Sequence, residues 1–194
     1  MSRHGKIQLE DNQRRYIGQL DIPLSEEGIQ QAKRLRKFLE PVTLSGIFSS
    51  DLSRCQQTAQ MIAEGRPLVN VVRRDLREIH MGKWEGHTFA DILSQFPSEF
   101  KTRGADIGYY RVPGGESFAD CQQRVMSAFH DLMNSSSGDV LFVGHAGVNR
   151  LLLCSILGMP LVNLFKIRQD YGCLNIISCN HNANYQVKLL NFRP

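Results

Sequence analysis

The stretch Asp139-Val140-Leu141-Phe142-Val143-Gly144-His145-Ala146-Gly147 decides the fold class. Asp139 to Val143 is a compact apolar run, the mark of a strand buried on both faces. The chain then passes through Gly144-His145-Ala146-Gly147 into a helix that carries Leu151, Leu152 and Ile156. A histidine thus leaves a buried strand just where a helix begins, and the free N–H groups of a helix start attract an anion. Taken alone, His145 reads equally well as a core histidine that caps the turn.

The same alternation extends in both directions. Upstream, Gly46 to Ser49 reads as a short buried strand, and Leu52, Cys55, Ala59 and Ile62 mark the helix after it. Ser25 is a helix cap, followed by Ile29, Ala32, Leu35 and Leu39 on one stripe. Val69 to Val72 is a second short strand. The region from about Leu76 to Gly115 is irregular, with a short helix near Phe89 to Leu93, and Pro113-Gly114-Gly115 closes it with a turn. Phe118, Cys121, Val125 and Phe129 then define the inner face of a further helix. Leu174 to Cys179 and Tyr185 to Leu190 are two late strands, joined by the polar stretch Asn180 to Asn184 as a hairpin loop. Alternating strands and helices predict an α/β layer fold with a mostly parallel sheet. One feature is out of pattern: only Met1 and Ser2 precede Arg3-His4-Gly5, although such a domain usually opens with a strand. Either the first strand is truncated, or the sheet lacks a strand in its middle. In the second case a poorly soluble, weakly active protein is expected, which an upstream-extended chain would improve.

The length, 194 residues, fits one domain spanning 1–194. Hydrophobic residues at 42% and charged residues at 22% allow a real core. No apolar run approaches a membrane span and no leader is read, so the expectation is a cytoplasmic protein with no membrane partner. The five cysteines are odd in number and scattered, which argues for reduced, mostly buried thiols and against a disulfide framework or a zinc site. A net charge of +4 without a basic stripe argues against nucleic acid and suits a small anionic substrate.

Four clusters carry the chemistry, each weak by itself. In Arg3-His4-Gly5, a histidine beside an arginine can accept phosphate, the guanidinium fork fits phosphate oxygens, and the glycine lets the backbone approach a ligand; the tripeptide alone reads as well as a disordered basic end. In Ser49-Ser50-Asp51-Leu52-Ser53-Arg54, the arginine falls in the first turn of a helix beyond a strand's carboxyl end, where ligands of open α/β sheets gather. Leu76 to Gly86 holds Glu78, Glu85 and the only tryptophan, and a carboxylic acid beside an anionic ligand can hold a proton for transfer. The fourth cluster is the His145 junction.

In this order the clusters resemble the histidine phosphatase superfamily, the phosphoglycerate mutase-like family, from Arg3 to about Ser178. Arg15 to Ser25, Leu76 to Gly86, Pro113 to Ser117 and Gln169 to Asn175 look most like its alpha-ribazole phosphatase group, in cobalamin biosynthesis. The resemblance implies a three-layer α/β/α sandwich and a phosphomonoesterase needing no metal or other cofactor. It implies catalytic roles for His4, Glu78, His145, Arg3 and Arg54: His4 as nucleophile, Arg3, Arg54 and His145 around the phosphoryl oxygens, Glu78 as acid and then base. It selects Glu78 over Glu85, because the family's glutamate precedes the Gly-x-Trp-Glu-Gly element. Gly5, Ala146, Gly18 and Gln19 join Arg3, Arg54 and His145 as phosphate- or substrate-binding residues, with Gly18 and Gln19 on a loop bordering the site. His80, His87, His130 and His181 match no catalytic position and read as structural or surface residues. Where the family has an asparagine after Arg-His-Gly, this chain has Glu10, whose carboxylate must point away from phosphate, or Asn12 in its stead. Members are often dimers, which leaves room for a homodimer here. A broad sugar or nucleotide phosphatase, a phosphoglycerate mutase and a non-catalytic phosphate-binding module are the alternatives. The short span between Glu78 and Pro113 favours hydrolysis over the longer mutases, and the presence of both nucleophile and acid argues against the binding module.

Overall fold

The computed structural model describes residues 1–11, 13–180 and 184–194. Its centre is a six-stranded sheet of order β3-β2-β4-β1-β5-β6, with β1 Ser2–Arg3, β2 Leu44–Ser50, β3 Asn70–Arg73, β4 Asp139–Gly144, β5 Leu174–Cys179 and β6 Tyr185–Phe192. The pairs β2/β3, β2/β4 and β1/β4 are parallel, whereas β1/β5 and β5/β6 are antiparallel. The expected mostly parallel sheet is therefore present, and the one reversed strand is β5. The place in question at the amino end is filled by two residues: Ser2 faces Val143 on one side and Leu174 on the other.

Six α-helices flank the sheet: α1 Glu26–Leu39, α2 Ser53–Ala63, α3 Phe89–Gln95, α4 Pro97–Ala105, α5 Phe118–Asn134 and α6 Ala146–Leu157. Side chains alternate along the central strands as a pleat requires. Ile47, Leu141 and Val143 enter a core with Leu35, Leu39, Cys55, Ala59 and Ile62 from α1 and α2. Phe48 and Phe142 enter the opposite core with Phe118, Val125 and Phe129 of α5 and Leu151 and Leu152 of α6. The result is a sheet covered on both faces, the three-layer sandwich expected.

Local chemistry sets the helix starts. Ser25 accepts the Gly28 N–H at 3.2 Å, and Ser117 forms a capping box with Asp120; such caps are each worth about 1 kcal/mol. The expected irregular region differs in one respect: it contains α4 as well as the expected helix near Phe89. Pro97 opens α4 in the first-turn position that suits proline, yet none of its residues is buried. Without an apolar face it has no period to read. The short strand expected at Val69 to Val72 is Asn70–Arg73 at the sheet edge, where Val71 is 45% exposed. Four of the cysteines are buried, Cys179 is exposed, and all five are free thiols. No helix among the described residues is long and apolar enough to cross a membrane.

Candidate active site

The parallel strands β1, β2 and β4 end at the same edge of the sheet, and each delivers one basic side chain there. His4 follows β1 directly. Its backbone N–H donates to Gly144 O at 3.0 Å and its carbonyl accepts from Gly172 N at 3.0 Å, so the residue is fixed from both sides. The side chain is 5% exposed. Nδ1–H donates to Gly5 O at 2.7 Å, which leaves the lone pair on Nε2. Burial, then the charges of Arg3 and Arg54, hold the imidazole well below its ordinary value of 6.5, so it is neutral near pH 7.

Gly5 supports this arrangement from below. A Cβ on Gly5 would collide with the backbone of Gly28 in α1, so the close approach that demands glycine here is to a helix. Its N–H donates to Thr58 Oγ1 at 3.2 Å, and the Thr58 hydroxyl donates to Arg54 O at 2.8 Å.

Arg54 lies in the first turn of α2 and is 1% exposed. Nη1 donates to Leu20 O at 2.6 Å, Nη2 to Gly18 O at 2.8 Å and Nε to His145 Nδ1 at 3.3 Å. Three of the five guanidinium N–H groups are thereby used and two remain. His145, at the end of β4, is fully buried and is the N-cap residue of α6, though its side chain makes no cap bond. Burial, then Arg54 and His4, keep it neutral as well. Because Nδ1 accepts from Arg54, Nε2 carries the proton, and it lies 3.4 Å from Cys55 Sγ. The His4 and His145 rings meet edge to face with centroids 5.2 Å apart. Arg3 completes the group: Nη1 donates to Gln169 O at 2.7 Å, its guanidinium lies 3.6 Å from the centroid of Tyr171, and its buried Nε has no partner among the described residues.

The carboxylate comes from the opposite wall. Glu78 follows β3 and a short 3-10 turn, and reaches the start of α6. Its oxygens accept from Gly147 N at 2.9 Å, Val148 N at 3.2 Å and Ile79 N at 3.0 Å. A helix start is a natural anion site, and here a carboxylate of the chain itself faces it beside Ala146. Glu85 is spent differently: Oε1 accepts from Gln19 N at 2.8 Å and from Met81 N at 3.0 Å. It braces the loop at 16–21, whose Gly18 has φ 51° and no room for a Cβ against Glu85. Gln19 Nε2 donates to Glu78 O at 3.0 Å, so the loop touches the acid's backbone.

The structure thus brings His4, Arg3, Arg54, His145, Glu78, Gly18 and Gln19 to one place. A neutral imidazole lone pair and two guanidinium groups can together accept and stabilise a phosphoryl group. Glu10 is exposed, and Asn12 lies outside the described residues. His130 is exposed, His80 and His87 are half-buried, and His181 lies outside the described residues. Among the described residues no three His, Cys, Asp or Glu side chains form a group suited to a metal ion.

Sequence reading left out three supports. Tyr171 packs under Arg3 and against His4, 5.6 Å between ring centroids. Buried Gln169 holds Arg3 through its carbonyl and bonds Asn149 and Asn175 through its side chain. Thr58 joins Gly5 to Arg54. Gln169 and Tyr171 lie in the stretch Gln169 to Asn175, which was read for family likeness only, and Thr58 on α2 gave no signal of its own.

Known proteins resemble this chain in sequence and in fold. An adenosylcobalamin/alpha-ribazole phosphatase of Salmonella typhimurium is 31% identical over 185 residues, 92% of this chain and 88% of its own. A probable phosphoglycerate mutase of Yersinia pestis is 34% identical over 159 residues, 81% of this chain and 74% of its own. The crystal structure of the alpha-ribazole phosphatase from Shigella flexneri superposes with a TM-score of 0.90 at 29% identity, covering 99% of this chain and 95% of that one. The family model of the histidine phosphatase superfamily, branch 1, matches residues 1–192. With that match and the strand-end pair His4 and His145 between Arg3 and Arg54, the chain belongs to the histidine phosphatase superfamily.

Proposed function

We propose that the protein hydrolyses a small phosphomonoester through a phosphohistidine at His4, with alpha-ribazole 5'-phosphate as its first candidate substrate. The observation that carries the reading is the His4 ring itself: neutral, with Nδ1–H held by Gly5 O at 2.7 Å, so that Nε2 offers its lone pair to phosphorus. In the first step the Nε2 lone pair forms the N–P bond as the bond from phosphorus to the ester oxygen breaks. Glu78 gives its proton to that oxygen. In the second step Glu78 takes a proton from water, the water oxygen bonds to phosphorus, and the N–P bond breaks to release phosphate. The acid spent in one step is restored in the other. Arg3, Arg54 and His145 face the phosphoryl oxygens throughout, in place before charge develops.

The substrate assignment is supported by the likeness to alpha-ribazole phosphatases from two bacteria, one by sequence and one by structure. A cytoplasmic location, and an assembly that the resemblance lets be a homodimer, belong to the same reading. A mutase shares the histidine chemistry, but returns the phosphoryl group to a bound intermediate instead of water. A phosphate-release screen that includes alpha-ribazole phosphate, run with chelator present, separates the readings. Turnover is expected to survive the chelator and to fall by about 10⁴-fold or more in His4→Ala. Turnover that needs magnesium, or mutase activity without phosphate release, would overturn it.

A further inference from the structure

Glu78 lies between a 3-10 turn at Arg74–Leu76 and another at Gly82–Trp84, on a stretch with neither strand nor α-helix. A proton donor must still be held within a fraction of an ångström of its target. The backbone on both sides of it is gripped by one ion pair from α5 and the turn before it. Arg124 Nη1 donates to Asp75 O at 2.7 Å and to Arg77 O at 3.1 Å, and Nη2 reaches Glu78 O at 3.5 Å. Glu116 receives Nε and Nη2 of Arg124, both at 2.8 Å, in the two-pronged geometry that fixes orientation as well as distance. The same Glu116 closes on the next residues of the loop: its Oε2 accepts from His80 N at 2.9 Å, and its own N–H donates to His80 O at 2.8 Å. The pair is largely shielded, with side-chain exposures of 25% and 22%.

Within α5, among the described residues, this arginine hydrogen-bonds Cys121 Sγ, at 3.3 Å. Its other bonds go to Glu116 or to backbone carbonyls at 75, 77 and 78. Its backbone bonds thus converge on the segment that leads into Glu78.

We propose that Arg124 and Glu116 are positioning residues for proton transfer, a clamp that sets the height of Glu78 against the ester oxygen. The proposal rests on Glu78 being the acid. The clamp touches no substrate; it acts through the backbone of residues 75–80. A lysine in place of Arg124 keeps the charge and loses the fork, and a glutamine in place of Glu116 keeps the shape and loses the charge.

The test compares kcat/KM for an alkyl phosphomonoester, whose leaving oxygen needs a proton, with that for p-nitrophenyl phosphate, whose leaving group does not. In Glu116→Gln and Arg124→Lys the alkyl ester is expected to slow by about ten- to hundredfold, the scale of small misplacements in a site, while the aryl ester changes little. Added to Glu78→Gln, the same substitutions should lower the alkyl rate no further, because the residue they position is already gone. Equal slowing of both esters, or a full further loss in the Glu78→Gln background, would show a merely structural ion pair and end the proposal. If Arg124→Lys fails to fold, the near-isosteric Glu116→Gln decides alone. A split between esters in Glu78→Gln without one in Glu116→Gln rejects the clamp only. No split in Glu78→Gln removes the acid assignment, and the clamp with it.

Discussion

The half of the site made of His4, Arg54 and His145 stands on the ends of parallel strands, whereas the half made of Gly18, Gln19 and Glu78 stands on loops. In the first half, position comes from the sheet. β4 is hydrogen-bonded to β2 on one side and to β1 on the other, so their carboxyl ends cannot move independently. All three side chains are at least nine-tenths buried. In the second half no ladder is present, and position comes from side chains that bond backbone: Arg54 to Gly18 and Leu20, Glu85 to Gln19, Arg124 to the carbonyls around Glu78. The difference teaches how the two tasks are met. A nucleophile and its oxyanion donors need one fixed geometry, which a buried sheet supplies. An acid that serves two opposed steps sits where its carboxylate can leave the start of α6 while its backbone stays held.

Arg54 joins the halves, so its loss should have the largest effect on the comparison. In Arg54→Met, kcat/KM is expected to fall about a hundred- to thousandfold, the usual result of removing one preorganised donor. The loop at 16–21 should lose amide-exchange protection while β2 and β4 keep theirs. Arg54→Lys should not rescue, since one ammonium cannot reach Gly18 O, Leu20 O and His145 together. Unchanged loop protection in Arg54→Met would break the link between the halves.

A smaller effect is expected from pH. Protonated His4 has no lone pair to offer, and burial with Arg3 and Arg54 keeps its pKa well below 6.5. The acid limb of kcat/KM that belongs to His4 should therefore fall well below pH 6.5. In Arg3→Met one depressing charge is gone, so that limb should move upward in pH. The same sign governs stability. His4 and His145 are neutral when folded, whereas the unfolded chain protonates them as pH falls through about 6.5. Their contribution is whole above that pH and is lost below it, so Tm should drop on going from pH 7 to pH 5. A Tm that rises over that interval would contradict the buried neutral pair.

The smallest effect belongs to the β3 edge of the sheet, whose strand residues carry none of these side chains. Val71→Thr on β3 replaces a half-exposed side chain and should change stability by no more than about 0.5 kcal/mol, with kcat/KM unaltered. A large loss of activity there would mean that the β3 edge takes part in the site.

What could be read beforehand follows the same division. The strand-end half was legible because buried strands and amphipathic helices write their period into the chain: Asp139 to Val143, the stripe of α2, and Ser25 as a cap all lie where that period puts them. Arg54 and His145 could be placed because each follows such a strand, whereas His4 follows a two-residue strand that leaves no period, and it was singled out by Arg3-His4-Gly5 and the family resemblance. Glu78 was chosen over Glu85 by family resemblance alone, since two glutamates in one irregular loop look alike until Glu85 is seen bonded to Gln19 and Met81. Arg124 sits on the helix read from Phe118 to Phe129, but its bonds run to residues more than forty positions away. Such long-range bonds leave no local pattern, and α4 left none because it has no fully buried residue, Phe100 packing only partly against the core.

The central claim is a covalent bond between phosphorus and His4 Nε2, and the most direct measurement is rapid acid-free quenching with radiolabelled substrate followed by mapping of the labelled peptide. The label is expected on the peptide that contains His4, acid-labile and base-stable as a phosphoramidate, and absent in His4→Asn. Label on any other residue, or full turnover with no labelled protein at any time point, would contradict it.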